Sequence, residues 1–142
     1  MTEDIALLVR QAEAAANSGQ WTVAEKLWLD VRWRDPRNPK AAFSLGIHAL
    51  QRREFIEAIK LIEEAHQASP RDPFILLTLS RARREAGDEA GEGVAIEKAL
   101  AADPYYLPAL LAKAQRLERT GNAQAAAMFY RNAVKVAGPE QH

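Results

Sequence analysis

Apolar residues recur along this chain every three or four positions, and the recurrence breaks at short polar stretches. Ala42, Leu45, Gly46 and Ala49 share one helical face, and Phe55, Ala58, Ile59, Ile62 and Ala65 share the next. The polar segment 51–54 lies between them, which predicts two helices joined by a short turn. Strand signals are weak throughout. Where helical runs end, prolines come in pairs, Pro36 with Pro39 and Pro70 with Pro73. The first of each pair stops a helix. The second suits the first position of a new one, with Asn38 and Asp72 as N-caps. At the fourth start, within 105–111, Leu107 is expected as a poorer cap.

Pro36, Pro70 and Pro104 are spaced 34 residues apart. Blocks 5–38, 39–72, 73–106 and 107–140 align without a gap, and their columns agree. Position 8 holds Ala12, Gly46, Ser80 and Ala114, all small. Position 20 holds Ala24, Ala58, Glu92 and Ala126, and position 27 holds Val31, Ala65, Ala99 and Ala133. Position 24 is large in every block: Trp28, Ile62, Ile96 and Tyr130. Position 15, at the turn inside each hairpin, holds Gly19, Arg53, Gly87 and Gly121. Small residues at positions 8 and 20 let paired helices approach closely. Large ones at position 24 fill the space between hairpins.

The 34-residue period, the Leu45–Gly46 pair, the small positions, the aromatic at Trp21 or Phe55 and the closing proline resemble the tetratricopeptide repeat, TPR. The resemblance implies an all-α, right-handed TPR solenoid of four helix-turn-helix repeats, eight helices in a single domain over residues 1–142. It also implies a concave surface, lined by the first helix of each hairpin, that binds a peptide or protein segment. Two departures stand out. Glu92 replaces a small residue and Glu89 an aromatic, in a stretch that also holds Gly91 and Gly93. The second helix of the third hairpin is therefore expected to start late or fray. Gln11 and Lys113 stand where Leu45 and Leu79 are apolar, which marks repeats one and four as edge repeats.

Bulk composition narrows the partners. Nineteen basic residues balance nineteen acidic ones, so no global charge attracts nucleic acid or an anionic membrane. There is no cysteine for a disulfide or a Cys-ligated zinc. The start, "MTEDIALLVRQAEAAA", lacks the basic and long apolar segments of a secretory signal. A soluble, cytoplasmic protein is the expectation.

Chemistry is sparse. His48, His66 and His142 enter no ligand or catalytic spacing, and "GDEAGEG" lacks the lysine and the preceding strand of a phosphate loop. No catalytic, metal or cofactor site is expected. The arginine clusters, such as Arg52–Arg53 and Arg83–Arg84, are interleaved with acids and read as solvated faces rather than RNA contacts.

Projected by the TPR pattern, the concave groove draws Val9 from the first block and Lys40, Phe43, Ile47, Leu50 and Gln51 from the second. The third supplies Phe74, Leu77, Arg81, Arg84 and Glu85, and the fourth Leu111, Gln115, Glu118 and Arg119. An apolar strip with adjacent arginines suits an apolar segment of acidic character. The alternatives are that Phe43 and Leu77 pack between first helices, and that Arg81 and Arg84 form salt bridges with Glu85 or Glu118. The dicarboxylate clamp of chaperone-binding TPRs is not matched, because Val9, Glu13, Ser44, Phe74 and Thr78 occupy its positions.

The last helix, 123–137, carries Met128, Phe129, Tyr130 and Val134 as an uncovered apolar face. It is expected to meet further chain, pair with another copy as a homodimer, or stay exposed. The final blocks, "AIEKALAADPYYLPALLAKAQRLERTGNAQAAAMFYRNAVKVAGP", also resemble the TPR arm of bacterial aspartyl/asparaginyl β-hydroxylase-like proteins. That resemblance implies a non-catalytic arm of a 2-oxoglutarate and iron enzyme whose metal ligands lie elsewhere. Trp33 is read either as an interface anchor or as packing under the Pro36 turn.

Overall fold

Proline pairs and turn glycines divide the chain into helices of nearly equal length. The computed structural model describes residues 2–138, and those residues form eight α-helices and no strand. They are α1 (Thr2–Asn17), α2 (Trp21–Arg34), α3 (Pro39–Gln51), α4 (Phe55–Ala68), α5 (Pro73–Glu85), α6 (Glu89–Ala102), α7 (Leu107–Arg119) and α8 (Ala123–Ala137). The caps act as the sequence predicts at two starts. Asn38 Oδ1 accepts the Ala41 N–H at 3.0 Å, and Asp72 Oδ1 accepts the Phe74 N–H at 3.0 Å. At α7 the cap is Tyr106, one residue earlier than expected, and its side chain caps nothing, so this start rests on Pro108 and on tertiary packing.

The helices form two compact units, divided in sequence between Pro70 and Arg71. In the first, α1 packs on α2, α2 on α3 and α3 on α4. Ala12, Ala24, Trp28, Val31, Ala41 and Leu45 form its core. At Gly46 helix α3 runs tightly against α4: a Cβ there would lie 2.8 Å from Ile62 Cγ1. In the second unit α5 packs on α6, α6 on α7 and α7 on α8. Leu76, Ala99 and Ala109 form a core there, with Leu77, Leu100 and Tyr106 against it. Positions 8, 20 and 27 of the repeat are buried in all four hairpins.

The expectation for the third hairpin fails. Helix α6 begins at Glu89 and has the same 14 residues as α2 and α4. Asp88 caps it by accepting the Gly91 N–H at 2.9 Å, and Arg83 Nη1 lies 3.1 Å from its other oxygen. Glu92 is buried, 3% exposed, and its Oε2 takes a 2.6 Å hydrogen bond from Arg119 Nη2 on α7. The glycines make room for these groups. A Cβ at Gly91 would strike the Asp88 carboxylate, and one at Gly93 would lie 2.8 Å from Arg116 Cζ. Arg116 Nη2 in turn donates to the Glu89 carbonyl at 3.2 Å. Charge pairing and capping thus offset the poor helix propensity of the segment.

Trp33 is 85% exposed, so the reading that packs it under the Pro36 turn fails too. No described helix is long and apolar enough to cross a membrane.

Candidate protein-binding cleft

Helices α5 and α7 are first helices of consecutive hairpins, and they flank a cleft of about 410 Å³ within the second unit. Six of the sequence-predicted groove residues line it: Phe74, Leu77, Arg81, Arg84, Leu111 and Gln115. Helical spacing brings them together. Phe74, Leu77, Arg81 and Arg84 follow one another at intervals of three or four on α5, as Leu111 and Gln115 do on α7. Leu77 and Leu111 are half-buried, while Phe74 is 55% exposed. Leu77 also packs against the core of Leu76, Ala99 and Ala109.

The rim is basic. Arg81 Nε lies 3.5 Å from Glu85 Oε1 on the same helix, a long, exposed pair worth little. Arg84 makes no ion pair among the described residues. Beneath the rim, Ser80 Oγ donates to the Leu77 carbonyl at 2.6 Å and Thr78 Oγ1 to that of Phe74 at 2.9 Å. Those hydroxyls are satisfied and leave the wall effectively apolar. Glu92 also reaches the cleft, but Arg119 at 2.6 Å and Arg116 at 3.8 Å compensate its charge. The cleft is therefore an apolar trough under guanidinium groups.

Thr78, Ala112 and Pro108 line the same cleft and are absent from the projected set. Pro108 stands at position 2 of its block, a groove position, and the register alone would have found it. Thr78 and Ala112 stand at position 6, which the projection leaves out. Glu118 accepts a hydrogen bond from Tyr130 Oη, which raises the Tyr130 pKa above the ordinary tyrosine value.

The first-unit candidates are placed differently. Lys40 Nζ pairs with Glu13 Oε2 at 3.4 Å, bridging α3 and α1. Phe43 and Ile47 are half-buried, and Val9 packs against the core of that unit. Leu50 is only 4% exposed and does not line a groove: it points into the protein, as a core residue. His48, on the same helix, is buried edge-on against Trp21 with ring centroids 5.9 Å apart. No group of three or more metal-ligating side chains converges among the described residues.

No family model matches the sequence, and no curated protein matches it. Solved structures do match in shape. "MamA RS-1 ArsTM double mutant" superposes with a TM-score of 0.84 at 20% identity, covering 96% of this chain and 77% of that one. "Crystal structure of MamA" gives 0.84 at 16% identity, covering 94% and 78%. "MamA 41-end from Desulfovibrio magneticus RS-1" gives 0.82 at 20% identity, covering 92% and 73%. The fold is the TPR-like helical solenoid of MamA. At these identities the likeness extends to the fold.

Proposed function

We propose that this chain is a non-catalytic protein-interaction module whose α5–α7 cleft holds an apolar, acidic segment of a partner protein. One observation carries the reading: Phe74, Leu77 and Leu111 form an open apolar trough beneath Arg81 and Arg84, and Arg84 has no ion-pair partner among the described residues. Apolar side chains of a partner would fill the trough, and its carboxylates would meet the guanidiniums. The likeness to MamA supports a scaffold of this kind. The reading as a non-catalytic arm of a β-hydroxylase-like enzyme rests on sequence resemblance alone.

The test uses short synthetic peptides in which Leu or Phe alternates with Asp or Glu, with Lys-substituted versions as controls. NMR shift perturbation should map the acidic peptides to α5 and α7. Phe74→Ala combined with Arg84→Glu should weaken binding about tenfold or more, equivalent to ~1.4 kcal/mol. Equal binding of acidic and basic peptides, or shifts confined to other helices, would remove the proposal.

A further inference from the structure

We propose that the basic end of the α5–α7 cleft takes a phosphorylated serine or threonine of the partner segment in preference to a carboxylate, an inference that rests on the reading of that cleft as the binding site.

The cleft changes character along its length. Phe74 and Leu77 on α5, with their register equivalents Pro108 and Leu111 on α7, make one end apolar. Arg81 and Arg84 on α5 make the other end basic, with Gln115 on α7 at the register of Arg81. Arg81 follows Phe74, and Arg84 follows Leu77, by seven residues each, or about 10 Å of helix. An extended chain covers that distance in about three residue steps. The cleft therefore suits a segment whose apolar side chain and anion stand about three positions apart.

Charge identifies the anion. Arg81 and Arg84 lie one turn apart on one face of α5, so both guanidiniums serve one site. Arg81 has only the long 3.5 Å contact to Glu85, and Arg84 makes no ion pair among the described residues. Beneath them, the buried Glu92 is shared by Arg119 at 2.6 Å and Arg116 at 3.8 Å, two cations on one carboxylate. Glu118 on α7 does not line the cleft and is bonded to Tyr130 on α8. Four guanidiniums thus stand against the two carboxylates of Glu85 and Glu92, and positive charge is in excess. A partner carboxylate brings one negative charge and two oxygens, enough for one guanidinium fork. A phosphate monoester brings about −1.5 to −2 charge and three acceptor oxygens, enough for both forks and the Gln115 amide. The apolar end supplies the contacts that distinguish a phosphorylated segment from free phosphate.

Isothermal titration calorimetry tests this with end-blocked peptides that carry Leu and, about three positions along, Ser, Glu or phosphoserine, in both chain directions. Circular dichroism checks the fold of each variant. In at least one direction the phosphoserine peptide should bind about tenfold tighter than the Glu peptide, with the Ser peptide weakest. Arg84→Gln should remove most of that advantage. Phe74→Ala should weaken the phosphoserine and Glu peptides by the same factor. A phosphoserine peptide that binds no tighter than its Glu counterpart would overturn the proposal and leave the cleft reading intact. If neither binds, the cleft reading falls and this inference with it. Inorganic phosphate that binds as tightly as the phosphopeptide would also overturn it, because the apolar end would then contribute nothing.

Discussion

Arg53 holds a backbone conformation that its three counterparts leave to glycine. Its φ is +62°, against +79°, +87° and +86° at Gly19, Gly87 and Gly121. The left-handed region costs a side-chain-bearing residue roughly 1–2 kcal/mol. The guanidinium lies 5.3 Å from the Phe55 ring centroid, a cation–π contact that returns about 0.5–1 kcal/mol at an exposed site. Arg53→Gly should therefore raise stability by no more than about 1 kcal/mol in urea titration. Gly87→Ala should lower it by about 1 kcal/mol although no atom lies within 4 Å of the added methyl, because the whole penalty is conformational. His48 gives a pH-dependent prediction. Burial holds its imidazole below the ordinary histidine range, with Arg52 reinforcing the shift and Glu25 opposing it. The unfolded chain then takes up the proton first as pH falls. Stability from this residue is complete above about pH 6.5 and declines below it, until the folded form also protonates. His48→Gln should flatten that part of the stability–pH curve.

The elements show which signals a sequence carries and which it hides. The starts of α3 and α5 were legible because Asn38–Pro39 and Asp72–Pro73 are local devices, complete within three residues. The integrity of α6 was not, because what sustains it is distant: Arg116 and Arg119 lie a full hairpin away from Glu92. Read locally, Gly91 and Gly93 only weaken a helix. Read in the fold, they give Asp88 and Arg116 room. Gly93→Ala should therefore not yield the roughly 1 kcal/mol that helix propensity alone would give. Its Cβ displaces Arg116, and thermal melts should show no gain until Arg116→Ala is added. A Glu92–Arg119 double-mutant cycle should give a coupling of about 1–3 kcal/mol. The lining of the α5–α7 cleft was legible, because register and helical face coincide there. The projection failed at Leu50, where position 12 turns into the core. That distinction depends on how far α3 is rotated against its neighbours, which spacing does not encode.

At the scale of the whole molecule, a repeat array distributes its stability among neighbouring contacts. Trp28 sits at the centre of one such contact, buried in the core of the first unit. Trp28→Ala should cost about 3–5 kcal/mol. Hydrogen exchange should show the loss of protection concentrated in α1, α2 and α3, with α5–α8 less affected.

The pairing of Glu92 on α6 with Arg119 and Arg116 on α7 also fixes the order of the modules. Suppose the second and fourth blocks changed places in the chain. Every helix start and every small or large packing position would survive the exchange. Yet Glu92 would then face Gln51 and His48 where Arg119 and Arg116 now stand, and Arg119 would lie opposite Ala24. Stranding one buried carboxylate in this way costs about 3–5 kcal/mol. Interchangeable as they look in outline, the four modules carry an address written in charge, and a shuffled array would unfold at its misdelivered joints.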